Sequence, residues 1–446
     1  MDRVDSLIHA RWVAPVEPTA KVLEHHGVAV RDGRIVEVGP SRALRQRYEA
    51  GEEHELTEHL LIPGLINAHT HASMTLLRGM ADDLPLMTWL TEHIWPAEQR
   101  WVSEAFIRDG STLAMGEMLR SGVTCFNDMY FYPEQTGQAA HEVGMRAVLG
   151  MILIGVPSGY AQDLEEYLSK GLALHERFRG DPLVHTIFAP HAPYTVDPAF
   201  LERVRDHAEE LDVPIHIHLQ ETADEVAQSV QETGKRPLQR LDELGLVSSR
   251  LLAVHATQLA ADEIERLAEA GAHIAHCPEA NLKLASGFCP VAELSRAGVN
   301  VALGTDGVAS NNDLDLIGEM RTAALLAKAV SGDAAALPAA EALRMATLNS
   351  ARALGIDDSV GSLIPGKLAD LTAVSLADID LRPVYNPLSQ LVYAATRNHV
   401  TDVWVGGERR LQDRRLLHLD TAAVIERAEQ WRAQIAAGRG EGGTGA

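Results

Sequence analysis

Leu60-Leu61-Ile62-Pro63-Gly64-Leu65-Ile66-Asn67-Ala68-His69-Thr70-His71 is an apolar, β-type run that closes on two histidines. Similar runs follow around Val123–Asp128, Ala147–Leu153, Leu183–Ala189, Val213–His218, Leu251–His255, His273–His276 and Val299–Thr305. Helix-like segments separate them. Strand and helix alternating eight times predict a closed (β/α)8 TIM-type barrel of the α/β class rather than an open sheet. Chemistry in such a barrel sits at the C-terminal ends of the strands, so the polar residues that close each run are the places to look.

The flanks read differently. Val28-Ala29-Val30 and Ile35-Val36-Glu37-Val38 flank a turn containing Asp32-Gly33, which is a β-hairpin signature. Asp370–Val374 and Val403-Trp404-Val405 are strand-like as well, with Gly406-Gly407 as a tight turn. Neither set is large enough to be stable alone. Residues 1–60 and 366–420 are therefore expected to form one composite β-sandwich, with residues 61–365 as the barrel. Residues 421–446 are expected to be a C-terminal helix ending in a disordered, Gly-rich tail.

Composition narrows the function. The 446 residues carry a net charge of −23, from 39 basic and 62 acidic side chains. That balance argues against a phosphate backbone or an anionic membrane as partner, and for a small neutral or zwitterionic substrate. Cys125, Cys277 and Cys289 are too few and too scattered for a disulfide framework, and read as small buried hydrophobes. The N-terminus lacks an apolar signal region and no stretch suits a membrane span, so a cytoplasmic protein is expected.

His69 and His71 lie two residues apart at a strand end and so point to the same side, as two ligands of one metal would. A chance or surface pair is the competing explanation. His218 closes the fifth run and is the better third ligand; His216, one step deeper, reads as a supporting or core histidine. Glu221, three residues on, is either a helix-start acid or a general acid/base. Asp306 closes the last run, where a buried carboxylate needs a partner; a metal would supply one, and a turn or capping role competes. His69, His71, His218 and Asp306 together form an N3O set with room for water, the open geometry of a catalytic zinc that lowers the water's pKa toward ~7. No Cys-x-x-Cys is present, which excludes deaminases that hold zinc through that motif.

The motifs Pro63–His71, Leu84-Pro85-Leu86-Met87-Thr88-Trp89-Leu90, Ile94–Glu98, His218-Leu219-Gln220-Glu221-Thr222, His276-Cys277-Pro278-Glu279, Asn281–Gly287 and Gly304-Thr305-Asp306-Gly307 running into Ala309–Asp313 occur in this order. The chain carrying them resembles the amidohydrolase superfamily, and within it the 5′-methylthioadenosine/S-adenosylhomocysteine deaminases, over nearly its whole length. The resemblance implies a hydrolase acting on the C–N bond of a cyclic amidine, here an adenine nucleoside, with 5′-methylthioadenosine converted to 5′-methylthioinosine and ammonia. S-adenosylhomocysteine and adenosine are further substrates in this reading.

The resemblance also implies roles. His69, His71, His218 and Asp306 bind one zinc per chain, a place Fe2+ or Mn2+ could also fill. Glu221 shuttles protons at purine N1, His255 orients the attacking water and Asp306 takes its proton. His191 contacts the base, Glu98 holds the ribose hydroxyls, Trp89 walls the pocket and Ser310 is a further pocket contact. Trp95 is left as core. A homo-oligomer is expected, with neither nucleic acid nor membrane as partner.

Two departures from relatives refine this. Binuclear relatives place a carboxylated lysine at the end of the fourth strand, whereas the run Leu183–His191 has no lysine, so a single metal is indicated. Relatives that accept S-adenosylhomocysteine use arginines after the third strand, and no arginine lies between Arg146 and Arg177. The runner-up activity is a related amidohydrolase deaminating or dechlorinating a triazine, guanine or cytosine, which a ribose contact at Glu98 argues against. A catalytically silent metal-binding homologue is the alternative of another class. The presence of Glu221 and His255 beside a full ligand set speaks against it.

Overall fold

The computed structural model describes residues 1–442, with side chains to residue 438. Eight parallel strands form the central sheet in chain order: β1 (Leu65–Thr70), β2 (Val123–Asp128), β3 (Arg146–Leu153), β4 (Val184–Pro190), β5 (Ile215–Leu219), β6 (Leu251–His255), β7 (His273–His276) and β8 (Asn300–Leu303). The backbone N–H groups of Thr305 and Asp306 donate to the carbonyl of His69 at 3.1 and 3.0 Å, bringing the end of β8 against β1. The Asn67 side chain reinforces this seam, donating to Thr305 Oγ1 (2.8 Å) and accepting from Thr305 N–H (3.1 Å). The expected (β/α)8 barrel is thus present.

The intervening helices start where short polar side chains can satisfy free N–H groups. Ser103, Asp163, Asp197, Thr222 and Asp315 each accept from a first-turn amide of the helix they precede. Their apolar faces and the outward faces of the strands share one continuous core that includes Phe126, Leu149, Tyr167, Phe188 and Leu219. Cys125, Cys277 and Cys289 are all buried and unpaired, as small hydrophobes would be.

A second, eight-stranded sheet takes strands from both flanks. Tyr48–Pro63 lies between Asp2–Val13, its parallel neighbour, and Leu371–Ser375, its antiparallel one. Both expected hairpins form, Leu23–Arg31 with Arg34–Pro40 and Val400–Val405 with Glu408–Gln412. The first turns through Asp32 and Gly33, both at positive φ (51° and 71°), the geometry a two-residue hairpin turn requires. Ile8, Val30, Leu61, Leu371 and Trp404 share one core, so the two flanks depend on each other.

One run divides. Leu60–Ala68 reads as continuous, yet Pro63-Gly64 ends a strand of the outer sheet and β1 begins at Leu65. A Cβ at Gly64 would lie 2.1 Å from Thr124 Oγ1, so only glycine lets the chain pass between the sheets here. A buried, two-pronged ion pair ties the modules together: Arg146 Nε and Nη2 at the start of β3 donate to Asp370 Oδ2 and Oδ1 (3.1 and 3.2 Å).

The helix Thr421–Gly442 packs on the helix Glu104–Arg120 through Trp431, whose Nε1–H donates to Asp109 Oδ2 at 2.9 Å. It continues into the Gly-rich stretch from Gly438, where the sequence reads as an irregular tail; the rest of that tail, 443–446, lies outside the described residues. Among the described residues no helix is long and apolar enough to cross a membrane.

Candidate active site

The C-terminal ends of β1, β5, β6 and β8 converge. His69 and His71 project from the end of β1, and the Nε2 atoms of both lie 3.3 Å from Asp306 Oδ1. His218 Nε2 is 3.3 Å from His69 Nε2. Each imidazole is oriented from behind. His71 Nδ1–H donates to the Met129 carbonyl (2.6 Å) and His218 Nδ1–H to the His191 carbonyl (2.8 Å), which turns the Nε2 atoms of both rings toward the centre. His69 Nδ1 lies 2.9 Å from His216 Nε2, and His216 Nδ1 lies 3.2 Å from the Asn127 amide nitrogen, so His216 stands behind the cluster as the sequence suggests.

Three imidazole nitrogens and one carboxylate oxygen, each held by a partner of its own, match the donor chemistry of a site for zinc or a similar divalent ion. Burial and mutual contact displace the titration of these groups, and an ion bound at His71 Nε2 would have to displace a proton there. Burial drives His69 down to about 3, keeping it neutral. Burial also opposes protonation of His71, but hydrogen bonding to Asp306 overrides it and lifts that ring to about 8. Burial works against ionisation of Asp306, yet the two imidazoles beside it hold it well below the usual carboxylate range.

Around this centre, several strands end in backbone that L-residues seldom adopt. Gln220 (φ 50°), His255 (φ 70°), Ala256 (φ 48°) and Asp306 (φ 62°) are all left-handed. Each such residue costs about 1–3 kcal/mol, a strain that recurs where side chains must be aimed.

His255 Nε2 lies 3.8 Å from Glu221 Oε2, and its Nδ1 is 2.8 Å from Asn281 Oδ1. Glu221 Oε1 accepts from Ser286 Oγ (3.2 Å), and burial raises its carboxyl above the usual range. Both Asn281 and Ser286 fall in the motif Asn281–Gly287, the one sequence signal that marked them. Ser310 sits behind Asp306, donating to Oδ2 at 2.6 Å, and is not among the residues that line the cavity described next.

A cavity opens above the cluster. His71, His191, His218, Glu221, His255 and Asp306 line its floor and one side; Trp89, Trp95, Glu98 and Ile152 are among those that enclose it. The stretch Leu86–Trp101 supplies the cover, with a π-helical turn over Trp89–Ile94. Trp89 and Glu98 are nine residues apart, about two and a half α-helical turns, which would set them on opposite faces. The wider π-turn rotates both toward the cavity. Trp95 also lines it and is 36% exposed, so the expectation that it is core fails: its helix covers the barrel mouth and is not packed inside. Glu98 Oε1 accepts from Tyr130 O–H at 2.6 Å, and burial raises its carboxyl to about 7. Nothing in the sequence singled out Tyr130. His191 Nδ1 lies 3.1 Å from Thr195 Oγ1, and burial lowers the ring to about 4, so it is neutral.

The amidohydrolase family model matches residues 60–410, and a model of an imidazolonepropionase-like composite domain of bacteria matches residues 27–48. A 5-methylthioadenosine/S-adenosylhomocysteine deaminase of Teredinibacter turnerae is 49% identical, the match covering 98% of this chain and 99% of that protein. One of the same name from Saccharophagus degradans is 48% identical, with 98% of each covered. The crystal structure of an adenosine deaminase from Xanthomonas campestris with bound zinc superposes with a TM-score of 0.97 at 53% identity, covering 98% of this chain and 99% of that one.

Proposed function

Because the chain belongs to the amidohydrolase family, we propose that it hydrolytically deaminates 5′-methylthioadenosine to 5′-methylthioinosine and ammonia, with S-adenosylhomocysteine and adenosine as further substrates. The observation that carries this reading is a single cavity in which His71, His218 and Asp306, backed by His69, face Glu221 at one side and a half-buried carboxylate, Glu98, at another. A purine nucleoside needs all three: activated water at C6, a proton at N1 and an acceptor for the ribose diol. A free base or a triazine has no diol for Glu98 to hold.

His69, His71, His218 and Asp306 would hold one divalent ion, zinc in our reading, which when bound supplies Lewis acidity that makes a water nucleophilic at neutral pH. The chain's own groups do the rest. His191 and Trp89 hold the base with C6 toward the cluster. His255 orients the attacking water, and Asp306 accepts its proton. Glu221 delivers a proton to N1, which relieves charge building up in the ring as the C6–O bond forms. The C6–N6 bond then breaks, ammonia leaving with the proton that Asp306 took, and the C6 hydroxyl returns its proton to Glu221 as C6 becomes the carbonyl of the product. Water and the nucleoside are consumed; the inosine-type product and ammonia are released. Residues 61–365 carry this chemistry in the same reading, braced by the composite unit of 1–60 and 366–420.

An ammonia-release assay across 5′-methylthioadenosine, S-adenosylhomocysteine, adenosine, guanine and cytosine tests the proposal. Turnover of the 6-aminopurine nucleosides is expected. Release from guanine or cytosine alone would replace it with the free-base reading.

A further inference from the structure

The turn that carries Glu221 is held by a carboxylate four residues downstream. Thr222 caps the helix Ala223–Thr233, its Oγ1 accepting from Glu225 N–H at 3.2 Å. In the usual reciprocal arrangement the Glu at the third helical position reaches back to the N–H of the capping residue itself. Here it reaches further. Glu225 Oε2 accepts from the backbone N–H of Glu221 (2.7 Å) and Oε1 from that of Gln220 (3.0 Å).

These two amides belong to the sharpest part of the loop. Gln220 is one of the left-handed residues at the site (φ 50°), a conformation that persists only when its surroundings over-determine it. The rest of the turn is tied down too. Gln220 Nε2 donates to Glu263 Oε2 (3.0 Å), its Oε1 accepts from Leu238 N–H (3.1 Å), and the Glu221 carbonyl accepts from Thr257 Oγ1 (2.6 Å). Glu225 is the ionisable member that holds the catalytic residue's own N–H. Burial pushes the Glu225 carboxyl up to about 7 and the two amides pull against it, because to the ionised form they are charge-assisted bonds, stronger and shorter than neutral ones. They set where the Glu221 Cα sits, and therefore where its carboxyl meets the substrate.

We infer that Glu225 is a positioning residue for the proton-transfer step, its carboxylate clamping the Gln220–Glu221 turn so that the Glu221 carboxyl faces both the His69–His71–His218–Asp306 cluster and the substrate. This rests on Glu221 as the proton-transfer group in the function proposed above. A carboxylate is required because both oxygens accept. In Glu225→Gln the amide nitrogen would face a backbone N–H, donor against donor, and one anchor is lost.

The test uses the full-length, zinc-loaded protein. Glu225→Gln is expected to lower kcat about 10–100-fold, the size of loss that a displacement near 1 Å produces. KM should stay within about threefold and one equivalent of metal should be retained, since neither the cluster nor the Glu98 side of the cavity is touched. Thr222→Ala is the control for ordinary capping: it removes the hydroxyl acceptor at the same helix end and should lower Tm by about 1 °C, with kcat close to normal. Hydrogen exchange on the unmodified protein is independent of how any variant folds, and slow exchange of the Glu221 amide is expected. The inference is overturned if Glu225→Gln keeps kcat within twofold or loses its metal, if Thr222→Ala costs as much kcat, or if the Glu221 amide exchanges freely. Failure of the function itself would look different: no ammonia from the unmodified enzyme, or full turnover in Glu221→Gln.

Discussion

Replacing the 5′-methylthio group by the homocysteine tail leaves base and ribose unchanged, so His191, Glu221 and Glu98 cannot distinguish 5′-methylthioadenosine from S-adenosylhomocysteine. Selection must come from the walls beyond the ribose. The cavity's lining residues, among those described, include Leu86, Leu90, Phe131 and Ile152 but no lysine or arginine. Arg78, the nearest candidate in sequence terms, is spent elsewhere, bonded to Glu117 and to the Asn312 carbonyl. A tail carboxylate entering this cavity would exchange water for apolar walls without a bidentate partner. Burying a polar group without compensation costs about 1–3 kcal/mol by mutational measures, more for a charge, and each 1.4 kcal/mol is tenfold. The expected kcat/KM ratio is therefore roughly 10–10³ in favour of 5′-methylthioadenosine. Ammonia release under kcat/KM conditions measures it. A 5′-butylthio analogue, similar in length but uncharged, separates charge from bulk and should behave like 5′-methylthioadenosine. Equal kcat/KM for the two natural compounds, or a preference for S-adenosylhomocysteine, would refute the reasoning and point to an arginine that reaches the tail.

Three further outcomes follow from the geometry. Glu221→Gln should retain metal and fold while turnover falls about 10²–10⁴-fold, the span of a general acid/base; near-normal turnover would reduce Glu221 to a helix-start acid. Metal analysis should find one divalent ion per chain, and removal by a chelator should abolish activity until zinc is restored; two tightly bound ions, or none, would contradict the N3O cluster. Asp370→Ala should destabilise the fold by about 3–5 kcal/mol by stranding the buried Arg146 guanidinium, which a denaturation midpoint reads, and a neutral result would mean that water reaches that site.

The eight strands and their closing residues were legible because both signals are local. Burial on both faces leaves near-continuous apolar runs, and a strand's two-residue period tells which of His69, Thr70 and His71 share a side. The hairpin turns were legible for the same reason, since Asp-Gly and Gly-Gly state a backbone conformation by themselves. What the sequence could not decide was anything set by contact between distant segments or by backbone rotation. The Pro63-Gly64 break inside one apolar run depends on how closely Thr124 approaches. The left-handed φ values at His255 and Asp306 have no signature in ordinary residues; they exist because the barrel forces those side chains toward its axis. Trp95 has the apolar neighbours of a core residue, and only the position of its helix across the barrel mouth leaves it exposed. The partners that aim the site, Asn281 for His255, Tyr130 for Glu98 and Glu225 for Glu221, are paired by the fold. A hydrogen bond needs two groups within about 3 Å, and periodicity places a residue on a face without saying what stands opposite.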